Sequence, residues 1–254
     1  MEEKYLIFLN DISKDKPNEF ANLNMKECPF CNREELKDVI DEKGPFILLK
    51  NKYPTLKDTC QLVIIETYTC KGNMSEYTDE YIQNLIKFGV EHWLEFEKNN
   101  NYKSVIFYKN HGPHSGGSLK HPHMQIVGIR DIDYKLDLKD SYFEGIGIYK
   151  SIYCTVNLSD KPISGFCEFN MIIDENLSGL DELSICLKKI THYILNNYFA
   201  PCDSFNVFFY HWKNKIICKV TPRFTTSPLL LGYNIKQIPS SSGVIADKLK
   251  ELYF

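Results

Sequence analysis

One order of elements occurs twice in this chain, and it constrains the fold more than any other feature. Residues 61–67 form a short apolar run with Val63, Ile64 and Ile65, which reads as a strand. Residues 78–97 follow, with Ile82, Leu85, Ile86, Trp93 and Phe96 at helical spacing and Ser75 and Thr78 as candidate N-caps. Residues 104–108 and 124–129 read as two further strands. The order then recurs as strand 166–173, helix 181–198 with Leu183, Leu187, Ile190 and Ile194 on one face, and strands 204–210 and 215–220. Matching elements lie about a hundred residues apart, so this is a repeat of pattern rather than of sequence. The segments 131–140 and 142–156 join the copies, and a loop at 239–243 precedes a short terminal helix.

Composition narrows the function. Thirty basic residues against thirty-three acidic ones give no global attraction to nucleic acid or anionic lipid. No apolar run approaches the roughly 20 residues that span a bilayer, and the opening Met1-Glu2-Glu3-Lys4 is no signal peptide. The expectation is a cytoplasmic protein without membrane or nucleic-acid partners. Aromatics at 13% suit a strand-rich fold. Nine cysteines are unusual, but an odd number without an export signal argues against disulfides. Cys167, Cys186 and Cys218 sit inside apolar runs and read as small buried hydrophobes. Cys28 and Cys31 are different. Their two-residue spacing lets two thiolates grip one tetrahedral Zn²⁺, and a thioredoxin-type redox pair is the rival reading, though no βαβ pattern surrounds it. A zinc site needs two more ligands, for which Cys70 and His121 are the natural candidates.

The chemistry concentrates between Asn110 and Gln125. This stretch leaves a strand, crosses a loop containing Gly112, Gly116 and Gly117, and re-enters a strand. Glycines let backbone N–H groups approach an anion, and Asn110 and Ser118 add neutral donors, so the loop suits a phosphate. His121, His123 and Gln125 alternate along a strand and share one face. A neutral imidazole at His123 can attack phosphorus, and Gln125 can donate to a non-bridging oxygen as charge develops there. Two histidines beside a glycine turn are often only structural. Here four kinds of group converge on one loop.

The stretch from Asn110 to Gln125, ending His-Pro-His-x-Gln, resembles the galactose-1-phosphate uridylyltransferase family of the histidine triad superfamily. It is nearest to that family's nucleotide-sugar phosphorylase branch, which favours an opening like Lys109-Asn110-His111-Gly112. The Cys28-Pro29-Phe30-Cys31 box and Asn51-Lys52-Tyr53-Pro54 resemble family elements too. The resemblance implies an α+β fold of two tandem histidine-triad-like units, each an antiparallel sheet with a packed helix. Residues 1–145 would be the catalytic unit with the zinc site and 146–254 a degenerate copy. It further implies that His123 is nucleotidylated in a ping-pong cycle, that Gln125 and Ser118 hold the transferred phosphoryl group, and that Asn110, Gly116 and Gly117 line its cradle. Asn51, with Lys52 and Tyr53 beside it, falls where the family contacts the nucleotide. Cys28, Cys31 and His121 fall at zinc-ligand positions, and Cys70 stands where the family's fourth ligand is usually a histidine, giving a structural Cys₃His zinc site.

The second copy has no His-x-His-x-Gln, so it cannot repeat the catalysis. Thr221-Pro222-Arg223 resembles the family's sugar-phosphate segment and makes Arg223 a substrate-binding candidate, while Asn234 stands where an acidic residue is common. The amino terminus from Lys4 lacks the family's arginine-bearing opening; Lys52, Lys120 and His114 are the candidate replacements. His111 belongs to the motif, with a loop-bracing hydrogen bond at least as good a reading as a chemical role; His92 and His192 read as structural, and His211 as a shared fold contact. The expected activity transfers a nucleoside monophosphate between a nucleotide sugar and a hexose 1-phosphate or phosphate, in a homodimer. Phosphorolysis or hydrolysis of a dinucleoside polyphosphate is the alternative enzyme, and a silent nucleotide-binding relative the alternative of another class.

Overall fold

The structure is a computed structural model and describes residues 5–20 and 28–254, so Lys4 of the opening segment lies outside the described residues. In chain order the elements are α1 (Asn10–Lys14), β1 (Val39–Lys43), β2 (Phe46–Lys50), β3 (Thr59–Ile65), α2 (Asp79–Glu97), β4 (Ser104–His111) and β5 (His123–Ile129). The second half follows with β6 (Gly145–Lys150), β7 (Thr155–Ser159), β8 (Phe169–Asp174), α3 (Leu180–Asn196), β9 (Phe205–Trp212), β10 (Lys215–Pro222), α4 (Pro228–Tyr233) and α5 (Ser242–Tyr253). The fold is α+β, as expected, and each half contributes five strands and one long helix. The strands do not close two separate sheets. They form one antiparallel sheet in the order β1-β2-β3-β5-β4-β9-β10-β8-β7-β6. That order reads alike from either end, so the two halves are related by a pseudo-two-fold at the β4–β9 seam, where Tyr108 pairs with Phe208 and Asn110 with Asn206.

Both long helices pack on one face. Thr78 caps α2, its side chain accepting from the Tyr81 N–H, which satisfies one of the orphan donors of the first turn. A Cβ on Gly89 would stand 2.5 Å from the Phe107 ring, so the glycine is what lets α2 lie close against β4. Phe107 stacks on Phe209 across the seam at 4.6 Å. Trp93 is fully buried and donates its indole N–H to the Val105 carbonyl at 2.9 Å. This core runs through both halves and takes in the buried Cys154, Cys167, Cys186, Cys202 and Cys218 as small apolar groups.

The other face is covered differently in each half. In the first, Ile47, Leu49, Val63 and Ile65 lie beneath Phe30 and Leu36 of the cysteine-bearing segment. In the second, the segment before β6 serves as the cover. Lys219 donates to the Tyr142 carbonyl at 2.9 Å, Asn157 to the Phe143 carbonyl at 2.9 Å, and the Lys219 ammonium lies over the Phe143 ring. Lys219 also pairs with Glu168 at 2.7 Å, both 1% exposed. The region expected to be a plain connection therefore holds a cover and an edge strand pair, β6 and β7. Among the described residues no helix is long and apolar enough to cross a membrane.

Candidate active site and metal centre

The strand β5 begins beside a cluster of Cys28, Cys31, Cys70 and His121, whose ligand atoms all lie within 4.8 Å of one another. Cys28 Sγ is 3.4 Å and Cys31 Sγ 3.5 Å from His121 Nδ1; Cys31 and Cys70 sulfurs are 3.3 Å apart, and Cys70 Sγ is 3.6 Å from the imidazole. Tetrahedral Zn²⁺ bound at about 2.0–2.3 Å asks for donor separations near these values. The groups behind the ligands agree. His121 Nε2–H donates to the Thr67 carbonyl at 3.0 Å, which leaves Nδ1 facing the thiols. Arg33 donates to the same carbonyl at 2.8 Å and to Pro45 O at 2.6 Å, tying the cysteine segment to the sheet. Burial raises the Cys28 and Cys70 thiols above their usual pKa, so a cation is needed to hold them as thiolates. The donor set fits a structural zinc site, with Cys70 as the fourth ligand.

Two residues on, His123 is buried at the wall of a cleft that it shares with the cysteines of the metal centre. Its Nδ1–H donates to the His121 carbonyl at 2.7 Å, which fixes the tautomer and leaves the Nε2 lone pair unprotonated. Burial, aided by the nearby Lys109 charge, lowers its pKa to about 4 against the opposing backbone hydrogen bond. The imidazole is thus neutral near pH 7. Phe30 from the zinc-held segment meets the ring edge-on at 5.5 Å. From the helix side, Lys109 donates to the His123 carbonyl at 3.3 Å and pairs with Glu66, which also accepts from Tyr77 at 3.1 Å. Lys109 and Glu66 are buried, so they brace the start of β5 from beneath and do not reach the cleft.

A cleft of about 1460 Å³ opens above this strand, and most of the expected site residues line it: Asn51, Lys52, Tyr53, Asn110, Gly116, Gly117, Ser118, His123 and Gln125. The glycine loop is shaped by backbone demands. Gly112 has φ of +81°, and a Cβ there would stand 2.2 Å from the Asp203 carbonyl oxygen; Gly116 has φ of +84°. Asn51 Oδ1 accepts from the Tyr53 N–H at 2.9 Å, forming a tight Asx turn at the cleft wall. Arg223 is not brought here. It lines a second, smaller pocket with Ser164, Thr225 and Gln237, at the end of β10. His111 stacks on Phe205 at 4.6 Å, and burial lowers its pKa to about 4; its contact is a ring stack at the seam rather than a loop-bracing hydrogen bond. His92 pairs with Asp41, His192 with Tyr253, and His211 with Glu97 and Glu175, all fold contacts.

Two contributors escaped the sequence. Lys16 lines the cleft because its segment is pinned to the glycine loop: Glu19 donates its N–H to the Ser118 carbonyl at 2.8 Å and accepts from the Lys120 N–H at 2.5 Å. Asn206, on β9 of the other half, donates to Asn110 Oδ1 at 2.7 Å and to the Ser115 carbonyl at 3.0 Å. A lysine before a proline and an asparagine in a strand carry no local signal of such roles. On the face of the second half that corresponds to the cleft, β10 presents Lys215, Ile217, Lys219 and Thr221, and no imidazole.

Two family descriptions match consecutive parts of the chain: the N-terminal domain of DUF4931, a domain of unknown function, over residues 8–132, and its C-terminal domain over residues 135–254. A solved structure of a DUF4931 family protein from Bacillus cereus ATCC 10987 is 45% identical, covers 84% of this chain and 98% of its own, and aligns with a TM-score of 0.78. An ADP-glucose phosphorylase from Arabidopsis thaliana, solved with ADP-glucose bound, is 14% identical with coverage of 95% and 94% and a TM-score of 0.68, so it shares the fold. The likeness to nucleotide-sugar phosphorylases read from the loop motif thus extends to the architecture. Diadenosine 5',5'''-P1,P4-tetraphosphate phosphorylase 2 of Saccharomyces cerevisiae is 26% identical over 209 residues, which are 79% of this chain and 58% of that enzyme. The chain therefore matches little more than half the length of that curated relative.

Proposed function

The chain belongs to the DUF4931 family, and we propose that it is a nucleotidyltransferase that moves a nucleoside monophosphate from a nucleotide sugar to phosphate or a hexose 1-phosphate. The observation that carries this reading is His123: an imidazole with its Nδ1 proton committed to the His121 carbonyl and its Nε2 directed away, in a cleft lined by donors. In the first half-reaction Nε2 attacks the α-phosphorus, an N–P bond forms, and the bridging P–O bond breaks. The electron pair leaves with the sugar phosphate. In the second, an oxygen of phosphate or of a sugar phosphate attacks the same phosphorus and returns the lone pair to Nε2. Gln125 and Ser118 would hydrogen-bond the phosphoryl oxygens, the loop at Asn110, Gly116 and Gly117 would cradle them, and Asn51, Lys52 and Tyr53 would meet the nucleoside. Zn²⁺ on Cys28, Cys31, Cys70 and His121 would supply a structural tie only.

In this reading residues 1–145 form the catalytic unit and 146–254 the scaffold, in a reducing, cytoplasmic setting that suits free thiols. Arg223 does not line the cleft of its own chain; its place at the substrate depends on the proposed homodimer. The yeast relative supports a second reading, phosphorolysis of a dinucleoside polyphosphate, which uses the same covalent histidine with a different donor. Mass spectrometry after incubation with UDP-glucose, ADP-glucose or diadenosine tetraphosphate separates them. A nucleotidyl adduct on His123 from either nucleotide sugar is the expected result. An adduct from the tetraphosphate alone would favour the second reading, and none from any donor would overturn both. His123→Gly should abolish the adduct, lowering its rate of formation by roughly a thousandfold or more, while His111→Ala retains it.

A further inference from the structure

The second half carries no catalytic imidazole, yet one of its side chains reaches the glycine loop. Asn110 on β4 and Asn206 on β9 are directly opposite each other at the seam between the halves. Asn206 is 3% exposed, and its side-chain NH₂ has two hydrogens. One goes to the Ser115 carbonyl at 3.0 Å, an atom that can only accept. This contact requires the NH₂, rather than the oxygen, to face the loop. The second hydrogen goes to Asn110 at 2.7 Å, with the Lys109 carbonyl a far weaker contact at 3.5 Å, so the Asn110 atom that receives it must be its carbonyl oxygen. A primary amide has two ends. With the oxygen committed to the seam, the Asn110 NH₂ is the end left for the cleft that this residue lines.

We infer that Asn206 is a positioning residue that sets the polarity of Asn110, so that the glycine loop presents a hydrogen-bond donor to an anionic phosphoryl oxygen. The inference rests on the reading of the cleft as a nucleotidyl-transfer site and adds to it the task of the second half. An unconstrained asparagine would turn either end to the ligand. A carbonyl oxygen facing a phosphoryl oxygen repels it, and the repulsion grows as negative charge accumulates in the transition state. Burial of Asn206 keeps water from competing for the two acceptors, which is why the assignment holds without a charged group. The loop thus receives its backbone shape from its own glycines and its side-chain polarity from the neighbouring unit.

The discriminating variant is Asn206→Asp, nearly the same shape with no hydrogen to give. Its carboxylate would draw the Asn110 NH₂ toward the seam and turn the oxygen to the cleft. Adduct formation on His123 should slow on the order of a hundredfold, as it should in Asn110→Ala, the scale expected for loss of one oriented donor. In the Asn110→Ala background, Asn206→Asp should cost less than about twofold more, because the residue acts through Asn110. Losses that instead multiply would show a purely structural brace on Ser115 and overturn the inference. So would an Asn206→Asp enzyme as fast as the wild type. Should Asn206→Asp not fold, Asn110→Asp serves: it keeps the acceptor for Asn206 but offers the cleft an oxygen, and a wild-type rate there would refute the proposal. If the wild type forms no adduct from any donor, the transfer reading falls, and a direct probe still decides this one. Inorganic phosphate titrated into ¹⁵N-labelled protein should shift the Asn110 side-chain amide signals in the wild type and leave them unmoved in Asn206→Asp; equal responses, or none in the wild type, would overturn it.

Discussion

The two halves present the same sheet face to two different covers. Over the first, Phe30 and Leu36 lie on Ile47, Leu49, Val63 and Ile65, and the segment that bears them is fastened by the Cys₃His cluster. It reaches β5 only at the edge of the His123 ring, and His123 and Gln125 line the cleft beside it. Over the second, Tyr142 and Phe143 are drawn down by Lys219 of β10 and by Asn157 and Ser159 of β7, and the pocket of about 300 Å³ in that half lies at the end of β10. One cover is tied from its rim by a metal centre; the other is tied from within by a buried ion pair. A tie at the rim frees the middle of the face for chemistry, while a tie in the middle consumes it. The ion pairs make the same point. Lys109–Glu66 lies on the helix side and supports β5 from behind, whereas Lys219–Glu168 occupies the very face on which a ligand would sit.

The sharpest way to break this contrast is to cut each tie in turn. Structural zinc sites bind with apparent free energies of roughly 10–16 kcal/mol, so losing a ligand should have the largest effect. Cys70→Ala should leave less than about half an equivalent of zinc by elemental analysis and raise hydrogen exchange in residues 28–36, with the cover over β10 unchanged. Full zinc content in that variant would remove Cys70 from the ligand set. Lys219→Met should act on the other half only. Removing one partner of a buried pair leaves an uncompensated charge on Glu168 and costs about 3–5 kcal/mol, measured by denaturant unfolding. Glu168 would still accept from Ile163 N–H and Ser164, which places the result toward the lower end. A loss within error of zero would mean that the pair does not hold the cover.

The smallest effect is a matter of pH. His111, at the end of β4, has its pKa lowered to about 4 by burial, then by the Lys109 charge. The unfolded chain takes up this proton near pH 6.5, so the folded state binds fewer protons between the two values. The associated stability is present in full above pH 6.5 and is lost as the pH falls toward 4. His111→Phe, which keeps the stack on Phe205, should flatten the stability profile in that window by about 1–2 kcal/mol once partial exposure is allowed for.

Much of this was legible in the sequence, for reasons that differ by element. The long helices announced themselves by the spacing of Ile82, Leu85, Ile86 and Trp93 and of Leu183, Leu187, Ile190 and Ile194, all buried on one side. The central strands carried β-branched and aromatic runs. The outer strands did not: β1 is exposed along its whole length and shows no alternation, and β6 contains two glycines in six residues. Their place in the sheet comes from the partners they meet. The glycine loop and the cysteine pair were readable because such chemistry needs particular residues at particular spacings. Lys219 was not, since a lysine in a strand resembles a solvated one until its buried carboxylate is located. Asn206 and Lys16 reach the cleft through contacts across about a hundred residues, a separation over which no local pattern speaks.

The seam between β4 and β9 bears on how such a chain could fail. Each of these strands is the last in the array of its own half, and each carries apolar residues on the helix side, with Phe107 and Phe209 in contact across the join. A half expressed alone would end in a bare, sticky edge with unpaired N–H and C=O groups, the kind of edge that recruits a copy of itself. Because the pairing is antiparallel and nearly symmetric, the ready occupant of that edge is an identical strand. In the present molecule each half covers the other's edge, so neither is left with a free one at the seam. Chains nicked between residues 131 and 144 should stay together until denatured, and isolated halves should associate through β4 or β9 before they dissolve as monomers.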